Sequence, residues 1–173
     1  VRDSRYKSVR NFMSHVPHAQ PSQYKDGKKI MQVIRGLHKE GKLNEQQSRP
    51  FAPRRPPEEL YDLKSDPHEL VNLAQAPKSQ ERLVAMRKVL YQRMTETRDM
   101  GLIPEPILED VGRKAGNKYL AFLDNDHSGQ TLRLIEVITA GEANEGAKLL
   151  AFAKSPDPST RYWVAVWLGV NQT

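Results

Sequence analysis

Four prolines lie within eight positions, between residues 50 and 57 of this 173-residue chain. Each proline lacks a backbone N–H and has a fixed φ, so the stretch cannot continue a helix or a central strand. We therefore predict an extended surface connection between two groups of elements. The charge changes here as well, because residues 1–56 carry 13 Lys and Arg against 4 acids, whereas the rest of the chain carries 14 against 17.

The region before the prolines has two recognisable patterns. Residues 1–12 alternate basic with apolar or aromatic side chains around an Asp3-Ser4 turn signal, which favours a β-hairpin. From Lys25, apolar residues recur at helical spacing as far as Gly41, a residue suited to a left-handed cap. This second pattern predicts an amphipathic helix.

After the prolines, residues 59–63 alternate apolar and acidic side chains, as one short strand with a buried face would. Asp66, followed by Pro67 and by Glu69, predicts the first turn of a helix, with the aspartate as its cap and the glutamate reaching back to the cap in a capping box. Ser79 is the predicted cap of the longest helix, and we expect the apolar face of that helix to cover the sheet. This face contains Leu83, Met86, Leu90 and Met94.

The remainder of the chain has a helical pattern. Residues 102–106 include two prolines and predict a linker between two units. Residues 131–139 and 145–154 predict two short helices, and Asp157-Pro158 predicts the start of a third. Short consecutive helices must stack on one another to bury their apolar faces.

Composition excludes several classes of protein. The chain has no cysteine, which excludes disulfides, thiolate zinc sites and cysteine nucleophiles. No apolar run approaches the roughly 18 residues needed to span a bilayer, so no membrane partner is expected. A net charge of +6 suits a polyanionic partner, either a nucleic acid or a sulfated glycan, although a surface of solvated lysines needs no partner.

One run of residues carries a family resemblance. Glu58–Leu63, followed by Asp66-Pro67, by Glu69 and by Asn72–Ala74, resembles the C-terminal signature of sulfatases. In that family an ELYDL strand, a DPxExxNLA helical turn and a long closing helix follow one another in this order.

Two further stretches support the resemblance. Residues 1–12 resemble the segment that precedes the signature in sulfatases, with Ser8 in place of the usual aromatic residue. Residues 51–60 are similar to the branch that includes heparan N-sulfatase, in which an RPxEELYDL run is common. Residues 108–173 resemble HEAT-type helical repeats, with Asp157 and Arg161 where that family keeps an Asp and an Arg.

The resemblance implies an α+β fold in two parts. Residues 1–107 would be a sulfatase C-terminal subdomain, a small antiparallel sheet packed by a long helix, and residues 108–173 an all-α HEAT-like repeat unit. The implied function is to support, without catalysing, the active-site cleft of a bacterial hydrolase that cleaves sulfuric esters or N-sulfates of a sulfated carbohydrate. The implied partner is the catalytic domain in cis, and the implied location of the parent is the periplasm or the exterior.

The chemistry that sulfatases use is not encoded in this sequence. These enzymes make formylglycine from the Cys or Ser of a C/S-x-P-x-R motif and hold calcium in the same domain. The nearest run here, Ser48–Ala52, has Ala52 where the motif requires arginine. We therefore expect a portion separated from its catalytic domain, with no catalytic residue and no cofactor, whereas the parent would carry formylglycine and calcium.

Two patterns in the sequence are candidates for metal sites. Residues 124–129 resemble the first half of an EF-hand loop, but Ile135 stands where the loop needs a bidentate glutamate, which favours a solvated turn. His15 and His18 have the spacing of metal ligands, but Pro17 lies between them and no acid is near. We expect no metal site.

The candidate substrate-binding residues are His15, His18, Arg54 and Arg55. The histidines lie in a loop that would face the entrance of the parent's cleft, and the planar fork of an arginine fits sulfate or carboxylate oxygens. The alternative for the arginines is that they pair with the two glutamates that follow or face water.

Two other functions remain open at this point. The first is a basic nucleic-acid-binding module, although the basic third lacks zinc-ligand spacing and a recognisable reading helix. The second is a helical scaffold that binds protein. Trp163 and Trp167, four residues apart, are interpreted as core residues or as the contact to a further repeat rather than as a ligand-stacking pair.

Overall fold

The computed structural model describes residues 1–123 and 128–172. These residues form one two-stranded antiparallel sheet and nine α-helices, which confirms the α+β class. The chain divides into two compact units, Arg2–Gln75 and Ala76–Thr173, the latter also including Val1. We call them the sheet unit and the helical unit. Within the described ranges, no helix is both long enough and apolar enough to cross a membrane.

The sheet consists of β1 (Tyr6–Arg10) and β2 (Glu58–Asp62), with Ser8 opposite Leu60. Leu60 is completely buried. The prediction of a strand in the ELYDL run is confirmed. The predicted hairpin within residues 1–12 is reduced to a single bridge, Arg2 with Lys7, around a turn closed by the carboxylate of Asp3. β1 instead pairs along its whole length with β2.

The connection between the strands contains four short helical segments. They are α1 (Gln23–Asp26), α2 (Lys29–Lys39), α3 (Glu45–Ser48) and a 3-10 turn (Arg49–Phe51). The single helix predicted from Lys25 is therefore broken, because Lys28 has an extended backbone at the start of α2. Gly41 has a positive φ of 68°, as predicted for the residue that follows the helix. The predicted extended stretch begins only after Phe51.

The segment after β2 differs from its prediction. Asp66, Pro67 and Glu69 form a turn and not a helix, and Glu69 has a positive φ of 57°. The Asp66 carboxylate accepts from the Val71 N–H at 2.7 Å. The Glu69 carboxylate does not reach back to a helix start but accepts two bonds from Lys7 Nζ, at 2.7 and 2.9 Å. A partner on β1 therefore replaces the predicted capping box.

A pH-dependent ion pair links the two strands at one end of the sheet, where β1 begins and β2 ends. Arg5 donates to both carboxylate oxygens of Asp62, at 2.6 and 3.0 Å. The hydrogen bond from Arg5 is the main cause that lowers the pKa of Asp62 from 3.8 to about 2. Because this pKa is depressed in the folded state, the stabilisation is complete above the unfolded value and is lost as the pH falls through the folded value.

We therefore expect the stability advantage of the native chain over Asp62→Asn to shrink between pH 5 and pH 2. Urea denaturation of both proteins at intervals of half a pH unit measures it. The other carboxylates titrate in both proteins, so the difference isolates Asp62. A difference that stays constant over this range would contradict the assigned pairing.

The helical unit contains six helices. They are α4 (Gln80–Glu96), α5 (Glu105–Ala115), α6 (Lys118–Leu123), α7 (Ser128–Glu142), α8 (Gly146–Phe152) and α9 (Pro158–Asn171). α7 packs against α4, α8 and α9, while α5 packs against α6. On the predicted apolar face of α4, Leu83, Met86 and Met94 are buried. The expectation that this face covers the sheet stays a prediction, as do the boundary at residue 107 and the HEAT-like repeat.

Two side chains of the helical unit, Asp157 and Trp163, form hydrogen bonds that fix the backbone near them. Asp157 caps α9, as predicted, by accepting from the N–H groups of Ser159 and Thr160 at 3.1 and 3.3 Å. Trp163 donates through Nε1 to the carbonyl of Leu102 at 2.7 Å, and both residues are buried. The start of the predicted linker is therefore packed in the core and is not an exposed connection.

Candidate functional site

The four predicted site residues lie on two loops of the sheet unit, residues 13–21 and 50–57. Backbone hydrogen bonds join these loops, from Arg55 N to Ser14 O at 2.9 Å and from Ala19 N to Pro50 O at 2.7 Å. Two segments about 40 positions apart in the chain thus form one surface.

The four side chains differ in their environments. His18 and Arg54 are exposed, whereas His15 and Arg55 are half-buried. Arg55 donates from Nε to the carbonyl of Val16 at 2.9 Å. Its guanidinium therefore holds the loop that contains the histidines, which is a positioning role the sequence did not predict. His18 and Arg54 are the two predicted residues whose exposure suits contact with a ligand.

A second arginine holds the same loop from α2. Arg35 donates to the carbonyls of Ala19 and Gln20 at 3.1 and 3.2 Å and to the carboxylate of Asp26 at 2.8 Å. Its guanidinium also lies 5.7 Å from the ring centroid of Phe51. No local sequence pattern indicates these contacts of Arg35, because they join residues that only the fold brings together.

Of the two glutamates proposed as alternative partners of the arginines, Glu59 has other partners. Glu59 accepts from Asn11 Nδ2 at 2.6 Å and from the hydroxyl of Tyr61. Burial first, and the bond to Glu59 second, raise the pKa of Tyr61 above its ordinary value of 10. Asn11 also donates to the Pro56 carbonyl at 2.9 Å. The first part of the resemblance, Asn11 with the ELYDL run, is therefore one hydrogen-bonded network.

The Asn-Leu-Ala part of the resemblance completes the other edge of β2. Asn72 Oδ1 accepts from the N–H groups of Leu60 and Ala74 at 3.0 and 2.9 Å, and its Nδ2 donates to the Glu58 carbonyl at 3.1 Å. The N–H of Leu73 donates to the Leu60 carbonyl at 2.7 Å. β2 therefore has hydrogen-bond partners on both edges, although the sheet has only two strands.

Below the two loops is an apolar cavity of about 340 Å³ between α2 and the 3-10 turn. Its walls include Met31, Ile34, Leu37 and Phe51. The ring of His38 stacks on Phe51 with centroids 4.6 Å apart. The lining offers no pair of carboxylates and no nucleophile beside a base, so it has packing surface but no arrangement for acid–base or nucleophilic chemistry.

The structure describes only part of the two sequence patterns that are candidates for metal sites. In the described ranges, no group of three or more His, Asp or Glu side chains is arranged to hold a metal ion. The EF-hand-like run at 124–129 lies mostly outside the described residues, which resume at Ser128.

Comparison with known proteins identifies one relative. Over 105 residues, 61% of this chain, the sequence is 43% identical to an ulvan-active sulfatase of Formosa agariphila. The matched region covers 18% of that sulfatase. No family model matches the chain, and no solved structure matches it. The chain thus contains a region related to a sulfatase.

Proposed function

We propose that this chain is the non-catalytic, C-terminal portion of a sulfatase that acts on a sulfated carbohydrate. In this role it supports the active-site cleft that the catalytic domain forms in cis. The observation that carries the proposal is the 43% identity to an ulvan-active sulfatase. It is supported by the bonds of Asn11, Glu59 and Asn72, because residues of the family signature serve here to build the sheet unit and not to react.

The sequence does not encode the reactive group of this family. It contains no C/S-x-P-x-R motif, because the two runs that begin with S-x-P, Ser48–Ala52 and Ser65–Glu69, both lack the arginine. Ser48 ends α3 and Pro50 lies in the 3-10 turn that follows. Where the structure describes this chain, its side chains form no cluster of acids for calcium, and we propose that calcium and formylglycine both belong to the catalytic domain.

The finer parts of the proposal concern substrate and location. His18 and Arg54, on the loop pair that Arg55 and Arg35 hold together, would contact an anionic sugar at the edge of the cleft. The RPPEELYDL run favours the heparan N-sulfatase-like branch, the stacked C-terminal helices favour a HEAT-like tail, and a polysaccharide substrate favours a periplasmic or secreted parent.

A chimera tests the supporting role. The matched region of the ulvan-active sulfatase would be replaced by the corresponding residues of this chain, and sulfate release from ulvan would be measured for the native enzyme, a deletion of the region and the chimera. We expect the deletion to abolish release and the chimera to retain at least about a tenth of it, a loss below about 1.4 kcal/mol in transition-state stabilisation.

A second measurement tests the absence of catalysis. The chain alone is expected to release no sulfate from ulvan or from an aryl sulfate. Release by the isolated chain would contradict the non-catalytic role. A soluble chimera without activity would contradict the supporting role.

A further inference from the structure

An exposed surface of the sheet unit combines three lysines with one tyrosine. Tyr24, Lys25, Lys28 and Lys29 lie in α1 and at the start of α2, and we call them the lysine–tyrosine surface. All four are exposed, with Tyr24 at 77%. The ammonium of Lys28 lies 4.6 Å from the Tyr24 ring centroid, so positive charge and an aromatic face occur at one place.

Lys25 lies close enough to Asp26 for their charges to interact, but the three lysines of this surface outnumber that one acid. The only acid from residue 20 to residue 39 is Asp26. Its carboxylate accepts from Arg35 at 2.8 Å and from the Ser22 N–H at 3.0 Å. Elsewhere in the sheet unit, Arg5 and Lys7 have carboxylate partners. No described carboxylate pairs with Lys25, Lys28 or Lys29, and their charge therefore faces solvent.

We propose that the lysine–tyrosine surface binds a sulfated polysaccharide, with the lysines against sulfate groups and the Tyr24 ring against a sugar face. The sulfated ligand rests on the proposed function, but the binding surface does not coincide with the loop pair of His18 and Arg54. Ammonium groups act as point charges that tolerate variable sulfate positions. The interaction holds a polymer near the enzyme while the reaction takes place elsewhere.

Charge and aromatic content favour a glycan over a nucleic acid. Proteins that bind single strands stack successive bases on several aromatic side chains along a basic groove. The lysine–tyrosine surface offers one exposed ring. One ring and a few cations suit a flexible sulfated chain, which needs one stacking contact and a local excess of positive charge.

Binding measurements with matched variants test the proposal. Fluorescence anisotropy would follow a labelled heparin fragment, with dextran sulfate, dextran and single-stranded DNA as competitors over a range of salt concentrations. The test variant is Lys25→Gln/Lys28→Gln/Lys29→Gln. The control is Lys78→Gln/Lys88→Gln/Lys154→Gln, which removes the same charge from exposed positions of the helical unit.

We expect the test variant to weaken heparin binding about tenfold or more at low salt, since each cation near an anionic surface contributes on the order of a fivefold effect. The control variant should lose less than about threefold in heparin affinity. Its three lysines lie apart from the proposed surface, so they act on heparin only through the overall electrostatic field of the protein. Tyr24→Ala should weaken binding without changing its salt dependence. Dextran sulfate should compete and dextran should not.

Three results would overturn the proposal. They are an equal loss in the control, an unchanged affinity in the test variant, and DNA that competes as strongly as dextran sulfate at equal charge. Because these measurements record binding by the chain alone, their failure is distinguishable from that of the chimera, which records sulfate release.

Discussion

Gly141→Ala is expected to destabilise the helical unit by about 3 kcal/mol or more, the range of severe overpacking in a core. A β-carbon at Gly141 would lie 2.0 Å from Cγ and 2.3 Å from Cδ2 of Trp167. Trp167 is 2% exposed, so its ring is enclosed by neighbouring atoms and cannot turn out into solvent without opening the core. The close approach of α7 and α9 at this point therefore requires a residue without a side chain.

Gly169→Ala is the matched control, because Gly169 lies on α9 with nothing within 4 Å of an added β-carbon. There the same substitution should stabilise the chain by about 0.5–1 kcal/mol, since alanine has the higher helix propensity. Thermal denaturation followed by circular dichroism and by Trp fluorescence measures both variants. Equal and small effects of the two substitutions would show that α7 and α9 do not pack as closely as described.

Gly141 also shows why the sequence alone did not predict the helix ends. The pattern of residues 131–139 was interpreted as ending before Gly141, because glycine usually follows a helix. In the structure α7 continues to Glu142. Packing against Trp167 outweighs the low helix propensity of one glycine, and such packing involves a partner 26 positions away, which no local pattern contains.

The elements with strong local signals were predicted well. The strand in the ELYDL run, the Asp157 cap and the left-handed Gly41 each depend on a few adjacent residues. The segment that starts at Asp66 was predicted wrongly because the expected partner of Glu69 was its own turn. Lys7, from a strand that is distant in sequence, makes that contact instead.

The substrate-binding role of His15, His18, Arg54 and Arg55 stays a prediction, and the structure adds only how their loops are arranged. Proline and histidine content indicated two loops, and the structure brings these loops together. Arg55 and Arg35 position the histidine-containing loop by donating hydrogen bonds to its backbone carbonyls. These bonds depend on distances that only the fold determines. The lysine–tyrosine surface was present in the sequence only as part of a diffuse excess of positive charge.

Asn72→Ala is expected to lower the free energy of unfolding of the sheet unit by about 2–4 kcal/mol, since each buried group left without a partner costs about 1–3 kcal/mol. The substitution leaves the N–H groups of Leu60 and Ala74 and the carbonyl of Glu58 without their bonds. Leu60 and Ala74 are buried, so water cannot readily replace the lost oxygen. Hydrogen exchange of the Leu60 amide, together with urea denaturation, measures the effect.

Two control variants distinguish the loss of the Asn72 hydrogen bonds at the edge of β2 from a general loss of stability. Asn72→Asp keeps an acceptor for the two amides but places a carboxylate oxygen against the Glu58 carbonyl, so its effect should be intermediate. Asn44→Ala removes a cap from the exposed helix α3 and should cost only about 1 kcal/mol, with unchanged exchange at Leu60. If Asn72→Ala left that exchange unchanged, the edge of β2 would not depend on this side chain. The Asn-Leu-Ala part of the sulfatase resemblance would then need another explanation than the pairing of β2.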